Sequence, residues 1–236
     1  MNAAFQKLCA KLTAAGVPDA RFDAAELYRL ATGRDPRLDD GPSAAETARL
    51  SALAERRAAR EPLQYILGEW DFMDFTLKVG PGVLCPRADS EIVCESALAL
   101  LQGRERPVVY DLCAGTGCLG LGIARHSPGA LVTCVEKSPE AWRYLTANTA
   151  QTGVCTVQAD VFTYYKLLSA ECADLIISNP PYLTGPEMGA LMPETAHEPA
   201  MALDGGADGL DFYRAVTQKW KSALRLGGSL IFEVGI

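Results

Sequence analysis

The sequence predicts an α/β protein in which a parallel sheet covered by helices follows a small helical bundle and a β-hairpin. Three observations predict it. Residues 1–68 are rich in Ala, Leu and Arg and poor in β-branched residues. Residues 69–85 hold two short stretches in which apolar and polar residues alternate. From Pro107 onwards strand-like and helix-like segments take turns, the pattern of parallel strands joined through helices. The expected organisation is a helical domain over 1–68, a linking hairpin over 69–85 and a sheet domain over 86–236.

Each element has its own signal. Phe5, Leu8, Cys9 and Leu12 recur at helical spacing. Asp23-Ala-Ala-Glu26 predicts the capped start of a helix that carries Leu27 and Leu30 and ends near Gly33. Asp39 to Ser43 reads as a turn, followed by one helix from Ala44 to Arg60, stopped by Pro62. Arg56, Arg57 and Arg60 on that helix read as a solvated face. Trp70-Asp-Phe72 and Phe75 to Val79 form the hairpin, with Met73-Asp74 as its turn, and a helix follows near Ile92 to Leu101. The strands of the sheet are expected at Val108–Leu112, Leu131–Val135, Thr156–Gln158, Leu175–Ser178 and Ser229–Val234. Intervening helices are expected at Gly120–Arg125, Ala141–Thr149 and Phe212–Leu224.

Composition narrows the class. The chain has 236 residues, 49% hydrophobic and 22% charged, ordinary for a globular protein. No apolar run reaches the roughly 18 residues of a membrane span, and Met1 to Leu12 lacks the parts of a signal peptide, so a cytoplasmic location is expected. Eight cysteines include no Cys-x-x-Cys pair, and the chain has only two histidines. Reduced, buried thiols are therefore expected, and no metal. The net charge of −7 favours a protein or small-molecule substrate over a polyanion.

Asp111-Leu-Cys113-Ala114-Gly115-Thr116-Gly117 ends one predicted strand and opens a helix, where glycines let a ligand approach the backbone. An acid at the strand end suits a ligand with an ammonium group and repels a pyrophosphate. S-adenosylmethionine carries an ammonium and a sulfonium and no phosphate. Glu136, followed by Lys137, lies 19 residues after Gly117 at the end of the second strand, where an acid can accept both ribose hydroxyls. Asp160, followed by Val161, ends the third strand and can face the base. The simpler reading of each acid alone is a helix cap.

Asn179-Pro180-Pro181-Tyr182 ends the fourth strand, beside the expected crevice. A planar NH2 group on an sp2 carbon has two donors: the Asn179 side-chain oxygen can accept one, the Pro180 carbonyl the other. The prolines stiffen the backbone and remove competing N–H groups, and Tyr182 offers a flat face for stacking. Such a nitrogen is a poor nucleophile because its lone pair is delocalised. Alignment in a near-attack pose contributes at best about 7–11 kcal/mol.

These motifs, together with Arg60-Glu-Pro62-Leu-Gln64-Tyr65-Ile-Leu-Gly68, Pro86-Arg87-Ala-Asp89-Ser-Glu91 and Glu198-Pro199-Ala-Met-Ala202-Leu203-Asp-Gly205-Gly206-Ala-Asp208-Gly209-Leu210, carry a resemblance over the whole chain. It resembles the HemK/PrmC family, methyltransferases that act on the glutamine of the Gly-Gly-Gln motif in peptide-chain release factors. The resemblance implies a class I S-adenosylmethionine-dependent methyltransferase (Rossmann-like) sheet behind a helical domain that docks the release factor. It implies that Asn179 and Pro180 hold the glutamine amide with Pro181 and Tyr182 beside it, and that Arg87, Glu198 and Pro199 shape the site. Asp111, Cys113, Ala114, Gly115, Thr116, Gly117, Glu136, Lys137, Asp160, Val161 and Asn179 would surround the cofactor. The sequence departs from the family at Cys113, usually glycine, and at Glu136, commonly aspartate. Relatives also continue past the fifth strand with another helix and two strands, which implies that this chain is cut short. Two alternatives stay open: a methyltransferase for adenine or guanine amines in nucleic acid, whose acceptor has the same geometry, and a non-catalytic binding protein.

Overall fold

The computed structural model describes residues 2–235, which divide into two compact units: residues 2–69 with Met192–His197, and Trp70–Leu191 with residues 198–235.

The first unit is helical, with α1 (Ala3–Ala14), α2 (Ala20–Thr32), α3 (Ala44–Ala58) and α4 (Leu63–Leu67). α1 packs on α2 and α3, burying Phe5, Leu8 and Leu12 with Leu27, Tyr28 and Leu50, and the Phe5 and Tyr28 rings meet edge to face; each buried side chain contributes about 1.5–3 kcal/mol by leaving water. Ser43 caps α3 in a reciprocal capping box with Glu46, and Gly33 ends α2 in the left-handed region at φ 72°. Two expectations fail here. Asp23 does not cap α2. The helix begins a turn earlier, and Asp23 sits inside it, buried, accepting from Arg57 Nε at 2.6 Å. Nor is the arginine cluster a solvated face. Leu50, Ala54 and Arg57 share the buried stripe of α3, so Arg57 points inward, where it needs acids. Its Nη2 donates to Glu194 at 2.8 Å, as does Arg60 through Nε at 2.6 Å, while Arg56 pairs with Glu61. Arg60 adopts φ 67°, which ends the helix before the expected Arg60.

The second unit opens with the hairpin β1 (Glu69–Phe72) and β2 (Phe75–Lys78), then α5 (Ala88–Leu101). The sheet follows: β3 (Val108–Leu112), α6 (Cys118–His126), β4 (Leu131–Glu136), α7 (Pro139–Thr149), β5 (Cys155–Gln158), α8 (Val161–Tyr164), β6 (Ala173–Ser178), α9 (Gly185–Met188), α10 (Asp211–Lys219) and β7 (Leu224–Phe232). All five sheet strands run parallel in the order β5-β4-β3-β6-β7. The chain therefore reverses its direction of travel between β3 and β6, the switch point at which such sheets bind ligands.

Side chains alternate across the sheet. Val109, Val132, Cys134, Leu175 and Ile177 join α5, α6 and the hairpin residues Phe72 and Leu77 in one core. Leu112, Val135 and Ile176 join Val161, Val216 and Trp220 in the other. β6 lies between two neighbours and is buried throughout, which is why Leu175, Ile176 and Ile177 form a continuous apolar run. The expected helix to Leu224 stops at Lys219, because Trp220 turns into the core and donates its Nε1–H to Val161 O at 2.9 Å. β7 starts at Leu224, earlier than expected, and absorbs Gly227 at φ 76° in an irregularity of its register with β6. All eight cysteines are free, but only Cys85, Cys94 and Cys134 are buried; four are half-buried and Cys155 is exposed, so the expectation of burial holds only in part. Among the described residues no helix is long and apolar enough to cross a membrane.

Candidate active site

A cleft of about 130 Å³ opens at the carboxyl ends of β3, β4, β5 and β6. Its wall combines apolar side chains, among them Val83, Leu84, Val161, Phe162 and Phe212, with polar ones that include Asp111, Glu136, Asp160 and Asn179.

Asp111 ends β3 and is 1% exposed. Its Oδ2 accepts from the Gly120 N–H at 2.9 Å, while Oδ1 is buried with no partner. Burial pushes the carboxyl up to about 7, against the pull of the Gly120 N–H and the Cys134 thiol, and the Glu136 charge pushes the same way. An acid with one orphaned oxygen beside a cleft is suited to a cationic ligand. The turn above it brings Gly117 to φ 84° at the start of α6, where an added Cβ would stand 2.6 Å from Leu145. Only glycine fits there. Cys113, by contrast, holds φ 58° with a side chain, a strained conformation for a residue other than glycine.

Glu136 is buried at the end of β4 and is already at work. Oε2 accepts from the Gly115 N–H at 2.8 Å and Oε1 from the Ser138 N–H at 2.7 Å, so the carboxylate braces the glycine turn. Two lone pairs remain for a ligand. Asp160 caps α8 through Oδ1 at 2.8 Å from the Phe162 N–H, and Oδ2 pairs with Lys137 at 2.9 Å. The simpler reading of Asp160 as a cap is what the geometry shows, although the residue also lines the cleft. Burial raises its pKa less than Lys137 and the Phe162 N–H lower it, so the net shift is downward.

Ala114, Gly115, Thr116, Lys137 and Val161 line the cleft with Cys113, whereas Gly117 stands behind it. Of the tetrapeptide, Asn179 and Pro181 reach the lining, and Pro180 and Tyr182 do not. The Asn179 Nδ2 donates to Glu233 Oε1 at 2.7 Å. Tyr182 is fastened from behind. Leu183 N–H donates to Leu203 O and Gly205 N–H to Leu183 O, both at 2.8 Å, and a Cβ on Gly205 would come within 2.6 Å of Tyr182 Cα. The Gly205-Gly206-Ala-Asp208-Gly209 stretch thus has a steric purpose: it lies against the backbone of the tetrapeptide.

Arg87 and Glu198 are brought together, Nη2 to Oε1 at 2.7 Å, but neither lines the cleft, although Pro199 does. Glu198 is buried with Oε2 unpartnered, and burial raises its pKa more than Arg87 lowers it. Sequence reasoning missed Glu233 and Ser90, whose side chains meet at 2.6 Å beside Asn179. Glu233 follows β7 in a segment with no motif of its own, and only the fold shows its neighbours.

The chain matches the family described as PrmC N-terminal domain over residues 3–68 and that described as Methyltransferase small domain over residues 76–206. A protein named release factor glutamine methyltransferase from Mycolicibacterium smegmatis is 40% identical over 99% of this chain and 84% of its own length. Proteins of the same name from Geobacter sulfurreducens and Streptomyces coelicolor are 38% and 37% identical, each over 94% of this chain and over 79% and 80% of their own lengths. Similarity at this level along nearly the whole chain, with both halves matched in order, identifies the chain as a member of the release factor glutamine methyltransferase family.

Proposed function

We propose that this protein transfers a methyl group from S-adenosylmethionine to the side-chain amide nitrogen of the glutamine in a Gly-Gly-Gln motif of peptide-chain release factors. The observation that carries the reading is that the unpartnered Asp111 oxygen and the Asn179 side chain line one cleft at the switch point of a methyltransferase sheet. The names of the relatives supply the substrate class.

The residues fit the cofactor. Asp111 Oδ1 is an acceptor in want of a cation, Glu136 retains lone pairs for ribose hydroxyls, and Val161, Phe162 and Phe212 offer apolar faces to a purine. Cys113, Ala114, Gly115 and Thr116 form the wall beside them. Bound S-adenosylmethionine supplies a methyl group on a sulfonium whose sulfur keeps the bond pair and leaves neutral. Asn179 Oδ1 and the Pro180 carbonyl accept the two amide hydrogens of the substrate, which turns the nitrogen lone pair towards the methyl and opposes the charge that develops on nitrogen. The nitrogen then sheds one proton to solvent, so no histidine is required. Pro180 and Pro181 hold the carbonyl in place, and Tyr182 packs beside the substrate. Arg87 and Glu198 support the wall of the cleft through Pro199. The helical unit docks the release factor, and the setting is the cytoplasm.

The test incubates the chain and labelled cofactor with a release factor, with its Gln→Ala variant, and with total RNA and DNA. Label on the intact factor alone is the expected result. Label on nucleic acid would transfer the activity to the exocyclic amine of a base, and label on the Gln→Ala variant would move it to another side chain.

A further inference from the structure

Ser90 and Glu233 are 143 positions apart, yet they meet beside Asn179. Ser90 Oγ donates to Glu233 Oε2 at 2.6 Å, and Asn179 Nδ2 donates to Glu233 Oε1 at 2.7 Å. The Glu233 side chain is buried, and its backbone is held at both ends. Its N–H donates to Ser178 O at 3.0 Å, and its carbonyl accepts from the Tyr213 hydroxyl at 2.8 Å. Nothing in this arrangement is needed to close the sheet. β6 and β7 are already paired from Ala173 to Ser178, and a buried acid is an expensive way to fill space.

We propose that Glu233 is a positioning residue for methyl transfer, holding Asn179 with its nitrogen turned away and its oxygen towards the acceptor amide. The inference rests on the function proposed above and deepens it. An unrestrained asparagine amide rotates through a broad, roughly two-fold torsion. In the wrong half of that rotation it would present NH2 hydrogens to the NH2 hydrogens of the substrate. A carboxylate has acceptors only. It accepts the Asn179 nitrogen and repels the oxygen, so one orientation survives.

Charge adds to geometry. Donation from Nδ2 to a carboxylate shifts electron density towards Oδ1, as in any chain of hydrogen bonds that polarise one another. Oδ1 becomes the stronger acceptor as the substrate nitrogen gains positive charge. Ser90 holds the far oxygen of Glu233, so that the carboxylate itself does not swing. Glu233 touches neither substrate nor cofactor in this scheme and acts through Asn179.

The experiment compares Asn179→Ala, Glu233→Ala, Glu233→Gln and the Asn179→Ala/Glu233→Ala double variant with a release factor as substrate. Glu233→Ala is expected to lower kcat about 100-fold, as loss of one preorganised polar contact does, with the Kd for S-adenosylmethionine held within about twofold. Glu233→Gln retains an oxygen that can accept from Asn179 and recovers kcat to within about 10-fold of the parent. In the Asn179→Ala background, Glu233→Ala costs nothing further, since two residues acting through one contact are not additive. Losses that multiply in the double variant, or a cofactor Kd that weakens in step with kcat, overturn the proposal.

A second readout needs no turnover. The side-chain NH2 resonance of Asn179, assigned by its disappearance in Asn179→Ala, is expected to show slow exchange with solvent that is lost in Glu233→Ala and kept in Glu233→Gln, whose side-chain oxygen still accepts. An unchanged resonance in Glu233→Ala overturns the proposal even if that variant is slow. Should Glu233→Ala fail to fold, Ser90→Ala takes its place: it leaves the carboxylate in place and is expected to lower kcat about threefold, the size of one net hydrogen bond. A parent chain that labels no release factor sinks the functional reading instead, and the resonance still decides whether Glu233 holds the amide.

Discussion

Asp111 is a carboxyl that burial holds near neutrality, with one oxygen unpartnered. The ammonium of a ligand interacts with its ionised form, and the ionised fraction falls as pH drops through about 7. Cofactor affinity is therefore expected to decline by up to about tenfold per unit between pH 7 and pH 5, measured as Kd by titration calorimetry. Asp111→Asn, which resembles the protonated form, should bind weakly at every pH and lose that slope. A slope that persists in the variant would assign the titration to another group. Asn179 gives the complementary expectation. Asn179→Ala should lower kcat about 100-fold while cofactor Kd stays within about twofold, and equal losses in both would make it a residue of the fold rather than of the reaction. Each of these two positions was legible in the sequence because it sits inside a contiguous motif at a strand end.

At the scale of elements, α3 shows what a buried ion pair does to a small bundle. Arg57 is enclosed with Asp23 and reaches Glu194, so removing the guanidinium strands a buried acid. Arg57→Ala is expected to destabilise the first unit by about 3–5 kcal/mol, read as a lower urea midpoint for its unfolding, and a loss under about 1 kcal/mol would show that the acids are solvated there. Burial raises the Glu194 carboxyl, but Arg60 and Arg57 lower it more, to about 2 against an ordinary 4.5. A depressed acid stabilises the fold above its ordinary value and loses that contribution as pH falls from 4.5 towards 2. The same helix shows why sequence reading went astray. Charge pattern alone set Arg57 on the surface, whereas the Leu50–Ala54–Arg57 stripe turned it inward. β7 was misread at its start for a related reason, because Gly227 and Gly228 look like a loop until β6 is there to pair with them.

Over the whole molecule, the local patterns were readable and the distant meetings were not. β3 matches its expected bounds, and the switch point follows from the strand order. The glycine turn and the tetrapeptide were visible because each is one short run with its chemistry in sequence. Glu233 was invisible because nothing beside it in sequence explains it, and Ser90, although inside the motif of residues 86–91, carried no sign of its distant partner. Arg87 and Glu198 were named separately through the resemblance, and only the structure shows them meeting across 111 positions.

The pairing of Leu183 with Leu203 and Gly205 carries a last consequence. It ties off the chain on either side of residues 184–202, of which only Met192–His197 belong to the first unit. Such an excursion with pinned ends is cheap to lengthen, since doubling a flexible loop costs only about 0.6 kcal/mol in closure entropy. A few Gly and Ser residues inserted after the exposed Gly189 should therefore leave cofactor affinity and thermal stability nearly unchanged, and a drop in either would mean that the knot at Leu203 is not what isolates the tetrapeptide. The exposed chain around Gly189 is free to drift in length, whereas Glu194, bound by Arg57 and Arg60, and Glu198, bound by Arg87, fix the composition further along.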